Sequence, residues 1–412
     1  MSQSYETVVT HVEYESPDAH GALTMPIYQN VAFEFNDAER MHLAFAGKSG
    51  GHAYSRITNP TVSNFERRIK TVKKAMSVTA VNTGMSAIAG TLLSLCKAGG
   101  NVVTSKHLFG NTISLIRDTL GPFGVELRLA DLTKPDEVEA SVDSNTCAIF
   151  LEIITNPQLE VADLKALSEV GKRHGAPLVA DTTVIPFTEF DAKGLGVAIE
   201  IFSSTKYISG GGTSLGGVII DYGQFGWKGH YRLAEKAASA GAFAFTATLR
   251  GHVARNVGLV MTPQVAYMHS LGLETLRIRF RHQSATAKRL AELLRGEDFV
   301  RRVNYTGLED NAYHTLATRQ FGEAQGAVLT FDLAGGREAC FGLLNRLKLI
   351  KRATNLFENK TLAIHPASTI FGTFTPEELA EMDVSEETIR ISVGLEDAAD
   401  LIEDIRQAAK EA

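Results

Sequence analysis

This chain of 412 residues has few cysteines, no long uncharged apolar run and no excess of positive charge. Its three cysteines, Cys96, Cys147 and Cys340, form no CxxC pair. That pattern argues against a disulfide framework or a metal site and is typical of a cytoplasmic protein. No apolar run approaches the roughly 20 residues that cross a bilayer. The formal net charge is -6 without a Lys/Arg-rich run, so neither nucleic acid nor a membrane is an expected partner.

The length and a hydrophobic content of 44% allow a large core in two or three domains. Residues 1–60 contain Pro26, Pro60 and only short apolar stretches. They predict an irregular, extended arm that packs on another surface, for example a neighbouring subunit. We expect a large domain at 61–262 and a smaller C-terminal domain at 263–412.

Short apolar runs then alternate with amphipathic stretches of helical period. The runs are Val78–Val81, Val102–Ser105, Val125–Ala130, Ala148–Ile153, Leu178–Ala180, Ile201–Ser203 and Gly217–Ile220. Helix candidates are Met85–Leu95, Thr112–Leu120, Pro135–Val142 and Leu164–His174. Near-continuous apolar strands separated by helices predict an α/β fold with a mostly parallel sheet covered on both faces.

Two long helices are predicted next, at 228–262 and 263–296, because Pro263 suits a first helical turn but not a helix interior. A second αβ unit follows. Its strand candidates are Ala327–Leu333, Leu362–Ile364 and Ile389–Val393, and its helix candidates are Arg337–Leu347 and Ala398–Lys410.

The strongest local signal is a lysine, Lys206, that follows an apolar strand and precedes a run of glycines. Ligands bind at strand ends in α/β folds, and the hydroxyls of Ser203 and Thr205 are suited to a phosphate. A desolvated lysine has a lowered pKa and attacks an aldehyde carbonyl. The alternative, a surface lysine ahead of a loop, fits this setting less well.

A carboxylate, Asp181, ends another apolar strand, where it is costly to bury without a partner. A protonated pyridinium nitrogen is one such partner, and a carboxylate beside it keeps the ring cationic and electron-withdrawing. The alternative is a helix cap. The nearby Lys206 favours the cofactor interpretation.

Four further segments are candidates for binding anions or polar groups. Gly84 and Met85 join a strand to a helix N-terminus, which binds phosphate well. Tyr54 and Arg56 form a possible phosphate clamp, with a surface ion pair as the alternative for the arginine. Asn156 ends a strand with an amide suited to a phenolate oxygen. Arg390 lies on a C-terminal strand and needs an anion, such as a substrate carboxylate or an internal acid.

Together these segments resemble the Cys/Met-metabolism PLP enzymes, which include cystathionine γ-synthase, methionine γ-lyase and the O-acyl-homoserine sulfhydrylases. The matching motifs are YSRxxNPT at 54–61, TGM at 83–85, an ENP-like segment at 152–157, the ADTT strand at 180–183, SxTKY at 203–207, HPAST at 365–369 and RxSVGLE at 390–396. The resemblance spans nearly the whole chain and implies pyridoxal 5'-phosphate (PLP) as the cofactor.

The resemblance implies the aspartate-aminotransferase-like fold (PLP fold type I), with a mostly parallel seven-stranded sheet in the large domain and a smaller C-terminal αβ domain. It implies cofactor contacts for Tyr54, Arg56, Gly84, Met85, Phe109, Asn156, Asp181, Thr183, Ser203, Thr205 and Lys206. It implies substrate contacts for Tyr54, Ser368 and Arg390, and catalytic roles for Lys206, Asp181 and Tyr54. It also implies a homotetramer, a dimer of dimers whose active site is shared between subunits.

The expected activity is γ-substitution on O-acetyl- or O-succinyl-homoserine with sulfide or a thiol. Phe109 stands where a tyrosine is common in the family, and a phenyl ring cannot give a leaving group a proton. A carboxylate leaves without such an acid, which favours an acyl ester. Within the family, the alternatives are cystathionine γ-synthesis and elimination of the methionine γ-lyase or cystathionine lyase type.

Two classes of protein outside this family are the remaining alternatives. A nicotinamide dehydrogenase is suggested by Gly210, Gly212 and Gly216, but these lie between two strands, and an isolated glycine pattern is weak. A non-catalytic scaffold of the same fold is the other, and the retained Lys206 and Asp181 argue against it.

Overall fold

The computed structural model describes residues 4–12, 18–46 and 48–410, and the strands in these ranges form two sheets. The strands of the first sheet are β1 (Ser77–Val81), β2 (Asn101–Thr104), β3 (Glu126–Leu129), β4 (Thr146–Glu152), β5 (Leu178–Asp181), β6 (Ile199–Phe202) and β7 (Gly217–Asp221). Those of the second sheet are β8 (Val300–Asn304), β9 (Val328–Leu333), β10 (Lys351–Arg352), β11 (Leu362–Ile364) and β12 (Thr388–Ser392).

The first sheet has the order β1-β7-β6-β5-β4-β2-β3. Strand β7 is antiparallel to both of its neighbours, and the other pairs are parallel. Its central strands are buried on both faces, which explains their near-continuous apolar sequence. The predicted α/β fold with a mostly parallel seven-stranded sheet is therefore confirmed, and the carboxyl ends of β4, β5 and β6 meet at one edge.

The second sheet has the order β10-β11-β12-β9-β8 and is mostly antiparallel. Three of its strands, β9, β11 and β12, match the predicted runs. Strands β8 and β10 were not predicted, because both lie at sheet edges and carry exposed charged residues in place of an apolar run.

The helices are α1 (Tyr5–Thr10), α2 (Ala38–Phe45), α3 (Pro60–Lys73), α4 (Gly84–Leu95), α5 (Gly110–Ser114), α6 (Pro135–Ser141), α7 (Leu164–His174), α8 (Ala234–Ala240), α9 (Ala244–Thr248), α10 (Arg255–Val257), α11 (Pro263–Leu294), α12 (His314–Phe321), α13 (Gly336–Arg346), α14 (Pro376–Glu381) and α15 (Ala398–Lys410). The long helix α11 begins at Pro263, as predicted. The Thr262 side chain caps it by accepting a hydrogen bond from the Val265 N–H.

The prediction of one long helix over 228–262 is wrong. The chain there forms α8, α9 and α10, together with a π-helical stretch over Leu249–Ala254. Gly241 ends α8 with φ +56° and Gly258 ends α10 with φ +78°. These left-handed conformations, which suit glycine, stop each helix.

The N-terminal arm contains α1 and α2, so the prediction that it is wholly irregular is wrong. The Tyr5 hydroxyl of α1 donates to the Leu273 carbonyl oxygen of α11, which ties the start of the chain to the core. Much of the arm's apolar surface is exposed: Leu23, Ile27, Tyr28, Val31, Met41, Leu43, Phe45, Tyr54 and Ile57. The division into arm, large domain and small domain stays a prediction.

The three cysteines are free thiols, and each is buried as a small apolar side chain. Among the described residues, no helix is both long and apolar enough to cross a membrane.

Candidate active site

A cavity of about 570 Å³ opens at the carboxyl ends of the central strands, between the two sheets. Its lining residues are Thr83, Gly84, Met85, Ile88, Phe109, Thr112, Glu152, Asn156, Asp181, Thr183, Val184, Ser203, Thr205, Lys206, Leu215, Thr354, Asn355, Leu356, Phe357, Thr369, Ile370 and Arg390. Most of the site residues expected from the sequence are thus brought together at one place.

Lys206 lies four residues beyond the end of β6, immediately before the 3-10 turn Tyr207–Ser209. The strand therefore ends earlier than the sequence suggested. The Lys206 Nζ donates to Asn355 Oδ1 at 2.6 Å. Burial, and then the charge of Arg390, lower the pKa of Lys206 to about 8. About a tenth of the amine is consequently unprotonated at pH 7.

Asp181 is the last residue of β5 and is held by its neighbour Thr183. The backbone N–H and hydroxyl of Thr183 both donate to Asp181 Oδ1, at 2.9 and 2.5 Å. Burial raises the pKa of Asp181 to about 6 in spite of these hydrogen bonds. A cation placed against this carboxyl group would favour its ionised form.

The expected phosphate site lies where α4 begins. Gly84 packs so closely on Ser203 that a Cβ at Gly84 would lie 2.7 Å from Ser203 Oγ. The Thr205 hydroxyl is fixed nearby, since it accepts a hydrogen bond from the Gly216 N–H at 3.0 Å. Met85 follows Gly84 in the first turn, where backbone N–H groups have no partner within the helix.

Arg390 is 2% exposed and lies on β12, facing the first sheet. Its Nη1 donates to Asn156 Oδ1 and its Nη2 to the Thr354 carbonyl oxygen, both at 3.2 Å. Its Nε has no hydrogen-bond partner among the residues that the structure describes. Burial lowers the pKa of Arg390 to about 9. A buried guanidinium with spare donors is suited to a carboxylate.

Phe109 lines the cavity at the start of α5, and its backbone N–H donates to Glu152 Oε1 at 2.8 Å. Sequence reasoning missed Glu152 as a site residue. It pairs with Asp181 across neighbouring strands. Burial, and then the Asp181 charge, raise the pKa of Glu152 to about 8. The signal was present, because Glu152 is also an acid at the end of an apolar strand.

Three expected site residues do not line this cavity. Tyr54 is 40% exposed, and the Arg56 guanidinium lies over its ring. Arg56 donates to the Arg255 carbonyl oxygen and lines a different cleft. The Ser368 hydroxyl forms a hydrogen bond with His365 Nδ1, and the cavity is lined by the following residues, Thr369 and Ile370. Within one chain, these three side chains are therefore apart from Lys206.

Asn355 and Thr354 were also missed, since they lie in a loop of the second sheet with no motif of their own. The described residues contain no cluster of three or more potential metal ligands.

The residues of the cavity fit the cofactor expected from the sequence. Gly84 and Met85 begin α4, where backbone N–H groups have no partner within the helix, and a glycine at 84 lets this backbone lie close to Ser203. The raised pKa of Asp181 marks a carboxyl group that lacks a cationic neighbour strong enough to offset its burial. Lys206 presents a partly unprotonated amine in the same cavity. These are the groups needed for a phosphate, a pyridine nitrogen and an aldehyde.

Comparison with known proteins supports this geometry. A model of the family described as Cys/Met metabolism PLP-dependent enzyme matches residues 6–410. The L-methionine gamma-lyase of Pseudomonas putida is 34% identical over 407 residues, covering 98% of this chain and 97% of that protein. The O-acetyl-L-homoserine sulfhydrylase 1 of Thermus thermophilus is 34% identical over 423 residues, covering 98% of this chain and 99% of that protein.

Two solved structures are also similar. The O-acetylhomoserine (thiol)-lyase of Campylobacter jejuni, solved with N'-pyridoxyl-lysine-5'-monophosphate, has a TM-score of 0.90 and 32% identity, covering 99% of this chain and 100% of that one. The O-acetylhomoserine sulfhydrylase of Wolinella succinogenes has a TM-score of 0.76 and 43% identity, covering 85% of this chain and 97% of that one. This chain therefore belongs to the Cys/Met metabolism family of PLP-dependent enzymes.

Proposed function

We propose that the protein catalyses γ-substitution on an O-acyl-L-homoserine, in which sulfide or a thiol replaces the acyl group as a carboxylate leaves. The observation that carries the proposal is one cavity that holds the Lys206 amine, the Asp181 carboxyl group and the Arg390 guanidinium, with the Phe109 side chain at its wall. Sulfhydrylases acting on O-acetylhomoserine are among the similar proteins, which supports this substrate class.

Substrate binding relies on Arg390. Its Nη1 and Nη2 are the donors for the α-carboxylate, and the contact with Asn156 holds the guanidinium in orientation. Because Arg390 is almost wholly buried, a carboxylate that binds there gives up its hydrogen bonds to water and gains charge-assisted hydrogen bonds to the guanidinium. This contact fixes the direction in which the rest of the amino acid extends.

Lys206 carries the proton transfers. When bound, PLP supplies the aldehyde that joins the amino acid and a ring that withdraws electrons. The Lys206 Nζ removes the proton from Cα, and its pKa of about 8 suits a base that works near neutral pH. Asp181 holds positive charge on the ring nitrogen, and Thr183 keeps the carboxyl group in place.

The leaving group sets the choice of substrate. A carboxyl group has a pKa of about 4 and a thiol one of about 8.5, so a carboxylate is the better leaving group without an acid. The Phe109 ring has no hydroxyl that could give a proton to the leaving group, as a tyrosine could. An acyl ester therefore suits this cavity better than a thioether.

Elimination from methionine is the second candidate, since the lyase of Pseudomonas putida is as similar as the Thermus thermophilus sulfhydrylase. A matrix of substrates separates the two. Purified protein is supplied with O-acetyl-homoserine, O-succinyl-homoserine or methionine, each with sulfide, methanethiol, cysteine or no acceptor, and products are measured by mass. We expect thioether or thiol products from an ester, and none of these from K206A. Faster turnover of methionine than of either ester would overturn the proposal.

The active site is proposed to be shared between subunits of a homotetramer in the cytoplasm. Tyr54 and Arg56 are exposed on the arm, together with the exposed apolar side chains of the arm named above. The test mixes inactive K206A with an inactive Y54A/R56A variant and reassociates them. Recovery of activity in the mixture supports a shared site, whereas no recovery from stable mixed oligomers contradicts it.

A further inference from the structure

The loop between β10 and β11 places an amide on the amine of Lys206. The Lys206 Nζ donates to Asn355 Oδ1 at 2.6 Å, and Asn355 Nδ2 in turn donates to Glu358 Oε1 at 2.5 Å. A carboxylate accepts but does not donate, so Glu358 fixes which end of the amide faces the lysine. The three side chains form a chain of hydrogen bonds with one possible orientation.

This loop is held against the turn that follows the lysine and against β12. The Phe357 ring stacks on Tyr207, the residue after the lysine, with centroids 4.3 Å apart and planes 14° from parallel. The Phe357 N–H donates to Ser392 Oγ at 2.6 Å. Beyond it, Asn359 Nδ2 donates to the Gly210 carbonyl oxygen at 2.5 Å. The loop that carries the amide is therefore docked directly onto the turn that carries the lysine.

The position of Glu358 depends on a glycine. A Cβ at Gly212 would lie 2.3 Å from Glu358 Oε1, so only glycine leaves room for this carboxylate. The Glu358 carbonyl oxygen also accepts a hydrogen bond from Gln283 Nε2 of α11, at 2.7 Å. Both the side chain and the backbone of Glu358 are thus fixed by neighbours.

We propose that Asn355 and Glu358 are positioning residues for Lys206, and that they hold its free amine in one place whenever it is not joined to the cofactor. An amine that has been displaced by the substrate must stay oriented to move protons, and Asn355 Oδ1 supplies a fixed acceptor for it. The inference rests on the proposed role of Lys206 in proton transfer, but not on the identity of the leaving group.

The charges that face Lys206 act in opposite directions. Burial and Arg390 lower the pKa of Lys206, whereas Glu358 and Asp181 raise it. Removing the Glu358 charge should therefore lower the pKa of the amine further. This gives the positioning role a second, electrostatic signature.

The first test measures exchange of the α-proton of L-2-aminobutyrate with D₂O by NMR, using the PLP-loaded protein. This amino acid has the homoserine skeleton without a leaving group. We expect N355A to exchange about 10²-fold more slowly than the wild type, because a displacement near 1 Å costs about that much. N359A is the matched control: it removes one docking contact of the same loop without touching Lys206, and therefore measures the part of the loss that comes from loop docking alone. It should lose far less.

Exchanging the amide at position 355 and the carboxylate at position 358 separates a positioning role from structural support of the loop. N355D places two carboxylates together, and E358Q lets the amide at 355 turn away from the lysine, so each alone should slow exchange. The double variant N355D/E358Q restores an acceptor for the Lys206 amine at position 355. It also places an amide at position 358 that donates to the new carboxylate, and it keeps a single negative charge. We expect it to recover to within about tenfold of the wild type. Slower exchange than either single variant would contradict the proposal.

A readout independent of turnover is the uptake of PLP by the cofactor-free protein, followed by the growth of yellow colour. The amine reacts with the aldehyde only when unprotonated. We expect the alkaline rise in uptake rate to move to lower pH in E358Q and to stay unchanged in N359A.

The outcomes are distinguishable. Normal proton exchange without γ-substitution in the wild type would remove the proposed substrate and leave this inference standing. Wild-type rates of exchange and uptake in both N355A and E358Q would overturn the inference and leave the proposed reaction untouched. Absence of exchange in the wild type would overturn it as well, since the amine would then have no proton to move.

Discussion

Gly272 is the point where helix α11 crosses the turn that follows Lys206. A Cβ at this position would lie 1.7 Å from the carbonyl oxygen of Ile208, two residues after Lys206. Carbon and oxygen atoms without a covalent bond stay more than about 3 Å apart. In G272A, therefore, the helix or the turn must move by more than about 1 Å.

Two effects on stability oppose each other in G272A. Alanine in a helix interior is favoured over glycine by about 0.5 to 1 kcal/mol. Overpacking costs about 1 to 3 kcal/mol, and the obstacle here is a backbone atom that no rotamer change removes. We expect a net loss of up to about 2 kcal/mol. Because the turn holds Lys206, a movement near 1 Å should lower kcat by about 10²-fold.

The assay combines urea unfolding with steady-state kinetics, and G251A serves as the control. Gly251 lies in the π-helical stretch Leu249–Ala254, and a Cβ there would meet no atom of the described residues within 4 Å. G251A should keep full activity and equal or slightly higher stability. If G272A matches the wild type in both kcat and unfolding midpoint, then the close packing of α11 on the turn does not position the lysine.

Three further variants test the cavity. K206A should release all of its PLP on denaturation after borohydride treatment, whereas the wild type keeps it bound, and turnover should fall below a few per cent. R390A should raise KM for the amino acid by about 10²-fold with a smaller effect on kcat, because it removes a buried carboxylate partner; equal KM values would contradict this. D181N should make the cofactor-free protein more stable above pH 6. Burial raises the pKa of Asp181 from 3.8 to about 6, so the wild type loses stability as pH rises through this range. Thermal unfolding at pH 5 and 8 measures the difference, which should reach about 2 to 3 kcal/mol at pH 8.

The first sheet could be predicted because most of its strands, though not the edge strand β3, are buried on both faces and therefore have an almost unbroken apolar sequence. Strand β4, Thr146–Glu152, is the clearest example. For the same reason, polar residues at strand ends such as Asp181 stood out against their surroundings. Chemistry placed at the end of a buried strand is visible in sequence, because burial of such a group needs an explanation.

Asn355 could not be predicted in this way. It lies in a loop, and its contact with Lys206 joins residues 149 positions apart. The contact between Arg390 and Asn156 spans 234 positions, and the sequence indicated each residue but not the pair. The prediction of one long helix over residues 228–262 failed for a different reason. The alanine-rich stretches there favour a helix, but Gly241 and Gly258 end α8 and α10.

The charges in the cavity are organised for a ligand more than for the stability of the chain. Burial shifts four pKa values in the direction that favours the uncharged form: it raises those of Glu152 and Asp181 and lowers those of Lys206 and Arg390. For Arg390, burial is the cause of the lowered pKa, and no carboxylate in the described part of the chain offsets it. Four such groups in one cavity cost the folded protein free energy that a hydrophobic wall would not. A cofactor with a cationic ring nitrogen and a substrate with a carboxylate would supply the missing partners for Asp181 and Arg390. The same groups that make the cavity unfavourable in the free chain are therefore the ones that give it affinity for both.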